Sequence, residues 1–257
     1  KALEVLKQSL LIQPNDFCAL NNLGNTYQRL SKYEMALENL LKDKKINNKH
    51  PDLLYNIGCA YRDIGNFNLS IDNYIKSIQL DKSDSKSFVA LMEVSLQLDL
   101  WRNYRNEFLN FIRFNSDRSI NHFFSIYNLI HSFIVKDFNK AEEEISNLKE
   151  YIEEDTFLNI TEDKDKKFIY AYYNLIKSML KCKVNYKGKL KNKINKIYHI
   201  GESHSLTFKD CTINGNNSSY IIEPTIIFGL KAWHLSQKNE NRFKSIFKDK
   251  IKLIPSN

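Results

Sequence analysis

Apolar residues recur at helical spacing along the first part of the chain, and the pattern then repeats after 34 residues. Between Leu20 and Leu40 the sequence reads LNNLGNTYQRLSKYEMALENL, and between Leu54 and Tyr74 it reads LYNIGCAYRDIGNFNLSIDNY. A shift of 34 carries Leu23-Gly24 onto Ile57-Gly58, Tyr27 onto Tyr61, Tyr33 onto Phe67, Ala36 onto Ser70 and Leu40 onto Tyr74. One more step gives Leu91-Met92, Trp101 and Phe108 in a weaker form. One step back puts Ala2, Leu6, Ser9 and Pro14 on the second helix of a preceding unit. Each unit has two apolar stripes at 3.6-residue spacing, which predicts two helices.

Gly24 and Gly58 fall inside predicted helices, where glycine costs about 1 kcal/mol relative to alanine. That cost has a reason if two helices cross so closely that a Cβ would clash. Ala36 and Ser70 are expected to supply the matching small surface on the second helix. Tyr27, Tyr61, Tyr33 and Phe67 are expected to fill the space between helices and units. Pro14 marks a junction, as proline does just past a helix end. One such unit cannot bury its own apolar face, so neighbours must stack.

These residues closely resemble the tetratricopeptide repeat family over residues 1–115, with a partial unit at 1–15 and units at 16–50, 51–84 and 85–117. The resemblance implies a mainly α fold, an α-α superhelix of stacked helical hairpins. It also implies that the first helices of successive units line a concave groove for an extended peptide or a partner helix. The groove positions are then Asn21, Asn25, Tyr55, Asn56, Cys59, Arg62, Lys86, Val89 and Glu93. One branch of the family grips a C-terminal carboxylate with two Asn and three cationic side chains. Asn25, Asn56 and Lys86 fall at three of those positions, but Asn21 and Ala90 occupy the other two, so that clamp is incomplete.

Residues 118–183 continue helical without a clean repeat. Asp137-Phe138-Asn139-Lys140-Ala141 echoes the turn and second helix of a unit, so the repeats are expected to extend to about residue 153 in a worn form. A polar loop is expected from Thr156 to Lys167, then an apolar capping helix from Phe168 to Leu180.

From 184 to 257 the character changes to an incomplete α/β segment. Apolar runs at Lys196–Ile200, Thr212-Ile213, Tyr220–Ile222 and Thr225–Phe228 read as strands, with Asn214-Gly215 as a hairpin signal. Phe243–Lys248 reads as a short helix and Ile251–Ile254 as the start of another strand. Ile200-Gly201-Glu202-Ser203-His204-Ser205 resembles the first block of the GDSL or SGNH hydrolases. By that resemblance Ser203 would be the nucleophile and Gly229 the second-block glycine beside the oxyanion. Glu202 stands where Asp is usual, and the Gly-x-Asn-Asp and Asp-x-x-His blocks are absent. A serine without an activating base is a weak nucleophile, so this chain is not expected to turn over an ester. Ser203 reads equally as a helix N-cap.

The net charge of +8 and isoelectric point of about 9.1 admit nucleic acid as a partner. The excess is lysine, however, with only seven arginines, and the groove positions are not notably basic. Nucleic-acid binding is therefore not expected. Cys18, Cys59, Cys182 and Cys211 form no metal-spaced pair, the six histidines form no ligand cluster, and no phosphate loop or dinucleotide fingerprint occurs. No cofactor or metal is expected. No run of 18 apolar residues suggests a membrane span. A cytoplasmic location is expected, and the opening at Lys1, inside a helical pattern, reads as a piece of a longer protein. Two function classes stay open: a scaffold that binds another protein or peptide, and a repeat-targeted SGNH-type esterase or acyltransferase in the intact parent.

Overall fold

The computed structural model describes residues 2–46, 49–114, 118–153, 163–182, 194–201, 212–214, 219–226 and 241–252. The chain is mainly helical, and it divides into two compact units: residues 1–94 with 232–251, and residues 95–231 with 252–257.

The helices keep the 34-residue register of the sequence. First helices span α2 (Phe17–Arg29), α4 (Pro51–Asp63) and α6 (Ser85–Gln97); second helices span α3 (Tyr33–Ile46), α5 (Phe67–Leu80) and α7 (Trp101–Phe114). Both the starts and the ends of each set advance by 34. The starts are fixed by residues that satisfy open backbone donors. Asp16 accepts from the Ala19 amide at 3.2 Å, Asp84 accepts from the Ser87 amide at 3.2 Å, and between them His50 precedes Pro51 at the first turn of α4. Ahead of these, α1 (Ala2–Ile12) packs Leu3, Leu6 and Leu10 against Leu23, Tyr27 and Ala36.

The turn inside each hairpin recurs with the same geometry. Ser31, Gly65 and Asp99 adopt φ of 56°, 85° and 60°, and Lys136 follows at 65°. The next residue's amide reaches back to the helix: Lys32 to the Tyr27 carbonyl (2.9 Å), Asn66 to Tyr61 (2.8 Å), Leu100 to Ser95 (2.7 Å) and Asp137 to Ser132 (2.9 Å). This is the Schellman closure, in which one left-handed residue lets two orphan carbonyls find donors. The fourth copy joins α8 (Arg118–Ile134) to α9 (Phe138–Glu153) and lies 37 rather than 34 residues after the third. The lengthening has a local cause, since α8 has 17 residues where α2, α4 and α6 have 13.

Inside the first unit, Ala36, Leu40, Ile57, Ala60 and Tyr74 are fully enclosed. The glycines are close contacts, though not against the residues expected from the sequence. A Cβ on Gly24 would lie 2.5 Å from Leu40 Cγ, and one on Gly58 would lie 2.6 Å from Tyr74 Cε1. Ala36 contributes its backbone oxygen at 3.3 Å rather than a facing side chain. The close partner is thus one helical turn further along the second helix than Ala36 and Ser70, although both of those are themselves buried.

In the second unit Trp101 is the hub. Its ring centroid lies 4.8 Å from Phe108, 5.8 Å from Phe124 and 5.9 Å from His131. A buried polar chain runs beside it: Trp101 Nε1 donates to Asn128 Oδ1 at 3.3 Å, and Asn128 Nδ2 donates to Glu144 Oε1 at 2.6 Å. The helix α10 (Asp163–Cys182) starts before the helix expected at Phe168, inside the polar loop expected from Thr156 to Lys167.

Among the described residues three strands follow, β1 (Ile194–Gly201), β2 (Thr212–Asn214) and β3 (Ser219–Ile226), in the order β1-β3-β2. The β1–β3 pair is parallel and β2–β3 antiparallel, with Ile213 opposite Tyr220. Tyr220–Ile222 and Thr225-Ile226 belong to one strand that runs through Pro224. Among the described residues Pro224 lies past the end of β2, where its missing donor breaks no pairing on that side. The last helix, α11 (Arg242–Lys252), includes Ile251 and Lys252, where a strand was expected. Phe243, Ile246 and Phe247 set a helical period, and no glycine or proline interrupts it before Pro255.

Candidate partner-binding surface

The first helices bring several of the sequence-derived groove positions together in the first unit. Asn56 Nδ2 on α4 donates to Asn21 Oδ1 on α2 at 2.9 Å, a half-buried side-chain bridge between neighbouring repeats. Further along, Arg62 Nε donates to Asp63 Oδ1 at 3.2 Å, and its Nη1 lies 3.7 Å from Glu93 Oε2 on α6. Val89 and Tyr55 are half-buried on the same first helices. Lys86 is the most exposed of the set and lies 3.7 Å from Asp52 Oδ1, an open pair of small energetic value.

Two positions stand apart. Cys59 is only 8% exposed and accepts a hydrogen bond from the Tyr74 hydroxyl at 3.4 Å, so it belongs to the interior of its hairpin. Burial pushes the Cys59 thiol above its ordinary range, and burial pushes the Tyr55 and Tyr74 hydroxyls up as well. Asn25 faces a cleft of about 770 Å³ between α1 and α2, beside Val5, Leu6 and Arg29. The three positions that overlapped a carboxylate clamp are therefore differently engaged: Asn25 on this cleft, Asn56 with Asn21, and Lys86 near Asp52.

Sequence reasoning missed two contributors. Arg242, at the start of α11, places Nη1 3.4 Å from Glu93 Oε1, so Glu93 lies between two guanidinium groups. Ser245 lies over Gly65, where a Cβ would be 2.8 Å from Ser245 Cβ. Arg242 and Glu93 are 149 residues apart, and no repeat period links them. Ser203 and Gly229 lie outside the described residues. Among the described residues no group of His, Cys, Asp and Glu is arranged to hold a metal, and no helix is long and apolar enough to cross a membrane.

Residues 5–38 and 51–84 each match a family model of the tetratricopeptide repeat. The chain carries tetratricopeptide repeats. Neither match reaches residues 184–257, and the hydrolase-like reading of that segment finds no support. No curated protein matches the sequence. Among solved structures, the crystal structure of MamA is 20% identical over 58% of this chain and 90% of its own, with a TM-score of 0.48. Pseudomonas Aeruginosa pilF is 14% identical over 68% of this chain and 72% of its own, with a TM-score of 0.48.

Proposed function

We propose that this protein is an interaction scaffold whose first-helix face, formed by α2, α4 and α6, binds an extended peptide or a helix of another polypeptide. The observation that carries the reading is the half-buried polar lane on that face. Asn21 and Asn56 bridge two repeats, and Arg62 and Glu93 bridge the next two. Amide side chains in a row can pair with a peptide backbone whatever its sequence, while flanking charges and Tyr55 select among side chains. The buried, protonated Cys59 has no reactive role here and acts as packing beneath Tyr55 and Tyr74.

The test is selection of binders from a random peptide library on the full chain, followed by titration of the selected peptide. Asn56→Ala and Tyr55→Ala are expected to weaken binding by about tenfold each, roughly 1.4 kcal/mol. Lys42→Ala and Lys76→Ala, on exposed faces of α3 and α5, are expected to leave it within about twofold. If no peptide is selected, or if Asn56→Ala and Tyr55→Ala bind as the wild type does, the reading is wrong.

A further inference from the structure

The hairpin turns carry an anomaly. Four equivalent positions hold a left-handed residue, and three of them (Ser31, Asp99 and Lys136) bear a side chain. The turn itself therefore does not require glycine. At Gly65 a Cβ would meet another element, 2.8 Å from Ser245 Cβ and 3.1 Å from its Oγ on α11. The glycine therefore answers to α11 as well as to its own left-handed backbone.

The contact is made by one side of α11. Arg242 and Ser245 are turned to the repeats, with Arg242 on Glu93 and Ser245 on Gly65. Phe243 and Ile246 are buried, and Lys248, Asp249, Ile251 and Lys252 are exposed. Asn241 caps the helix by accepting from the Lys244 amide at 3.1 Å, and the Arg242 guanidinium lies 4.6 Å from the Phe243 ring centroid. The first turn of α11 therefore sits where α4 ends and α6 nears its end, on the charged part of the face described above.

We propose that α11 is a ligand held in cis on the tetratricopeptide face, and that the partner displacing it presents the same chemistry: a basic amphipathic helix opening with arginine, with apolar residues one and four positions later. This rests on the reading of that face as a peptide-binding surface. It adds the identity of the recognised chemistry and a reason for the face to be shielded until a partner arrives. Tethering gives the helix an effective concentration on the order of 1 mM, so an intrinsic Kd of about 10 µM would weaken an incoming peptide about 100-fold.

The experiment uses the full chain and a fluorescein-labelled peptide of residues 239–254 as probe. Arg242→Glu in the chain should speed amide exchange across residues 244–251 and raise affinity for the probe by about tenfold or more. Adding Glu93→Arg to that chain restores an opposite-charge cis pair with reversed signs, so exchange in α11 should slow again and the affinity for a probe carrying Arg242→Glu should fall to the level of the wild-type chain with the native probe. Gly65→Asn keeps a residue tolerant of positive φ, so it should speed exchange in α11 while α3 and α5 stay protected; general unfolding would expose all three. Unchanged exchange of α11 in both variants would overturn the proposal, and so would equal probe binding by the wild type and Arg242→Glu. Either result would leave the library selection on α2 and α4 to stand or fall separately.

Discussion

The ring of Tyr74 lies over Gly58 so closely that a Cβ there would meet Cε1 at 2.6 Å, and Leu40 stands in the same relation to Gly24, 34 residues earlier. Each glycine lets a first helix approach the bulkiest buried side chain of its own second helix. Gly58→Ala gains about 1 kcal/mol of helix propensity. Forcing a methyl against the fully buried Tyr74 costs about 1–3 kcal/mol. A net loss on the order of 1 kcal/mol is expected in urea denaturation. In a Tyr74→Val background the same change should be neutral or stabilising, because the ring that opposed the methyl is gone. Equal losses in both backgrounds would show that Gly58 is not there for Tyr74.

The left-handed turn residues predict a different sign. Ser31 holds φ of 56° with an ordinary side chain, a conformation that costs an L-residue about 1–2 kcal/mol. Ser31→Gly removes that cost while loosening the unfolded chain, so a net gain of about 0.5–1 kcal/mol is expected. Asp99→Gly should gain less, since a short polar side chain tolerates this region. Denaturation midpoints of the two variants check the order, and a loss of stability in Ser31→Gly would contradict the turn assignment.

Stability should fall as the solution becomes alkaline. Burial raises the Cys59 thiol above its unfolded value, near 8.5, and raises Tyr55 and Tyr74 above theirs, near 10. Below about pH 8.5 all three are protonated in both states and their contribution is complete. Above it the unfolded thiol ionises while the folded one resists, so stability declines with rising pH. Thermal midpoints between pH 7 and 10 should show this decline, and Cys59→Ala should make its onset shallower. Peptide-resolved alkylation gives an independent check: Cys18, which is exposed, should react in the folded protein, and Cys59 only after unfolding.

Much of the repeat architecture was legible because it is written in residues that recur. Gly24 and Gly58, and Leu40 and Tyr74, are 34 positions apart, and the cap positions Asp16 and Asp84 lie two such steps apart. The turn was hidden because Ser31, Asp99 and Lys136 do not announce a left-handed backbone, and only Gly65 does so. The interior place of Cys59 was also hidden. Its position in the period puts it among the first-helix residues, but the hydroxyl of Tyr74 draws it inward. The contact of Arg242 with Glu93 joins a helix outside the repeats to one inside them, and periodicity carries no information about such a pair.

The central claim, that the first-helix face receives another polypeptide, is tested most directly by site-specific photo-crosslinking in the full chain. A photoreactive residue would replace Lys86, Val89, Lys42 or Lys76 in turn, with the library-selected peptide as target. Crosslinks concentrated at positions 86 and 89 and absent at 42 and 76 are the expected result. Crosslinks confined to positions 42 and 76, on the second helices α3 and α5, would contradict the account.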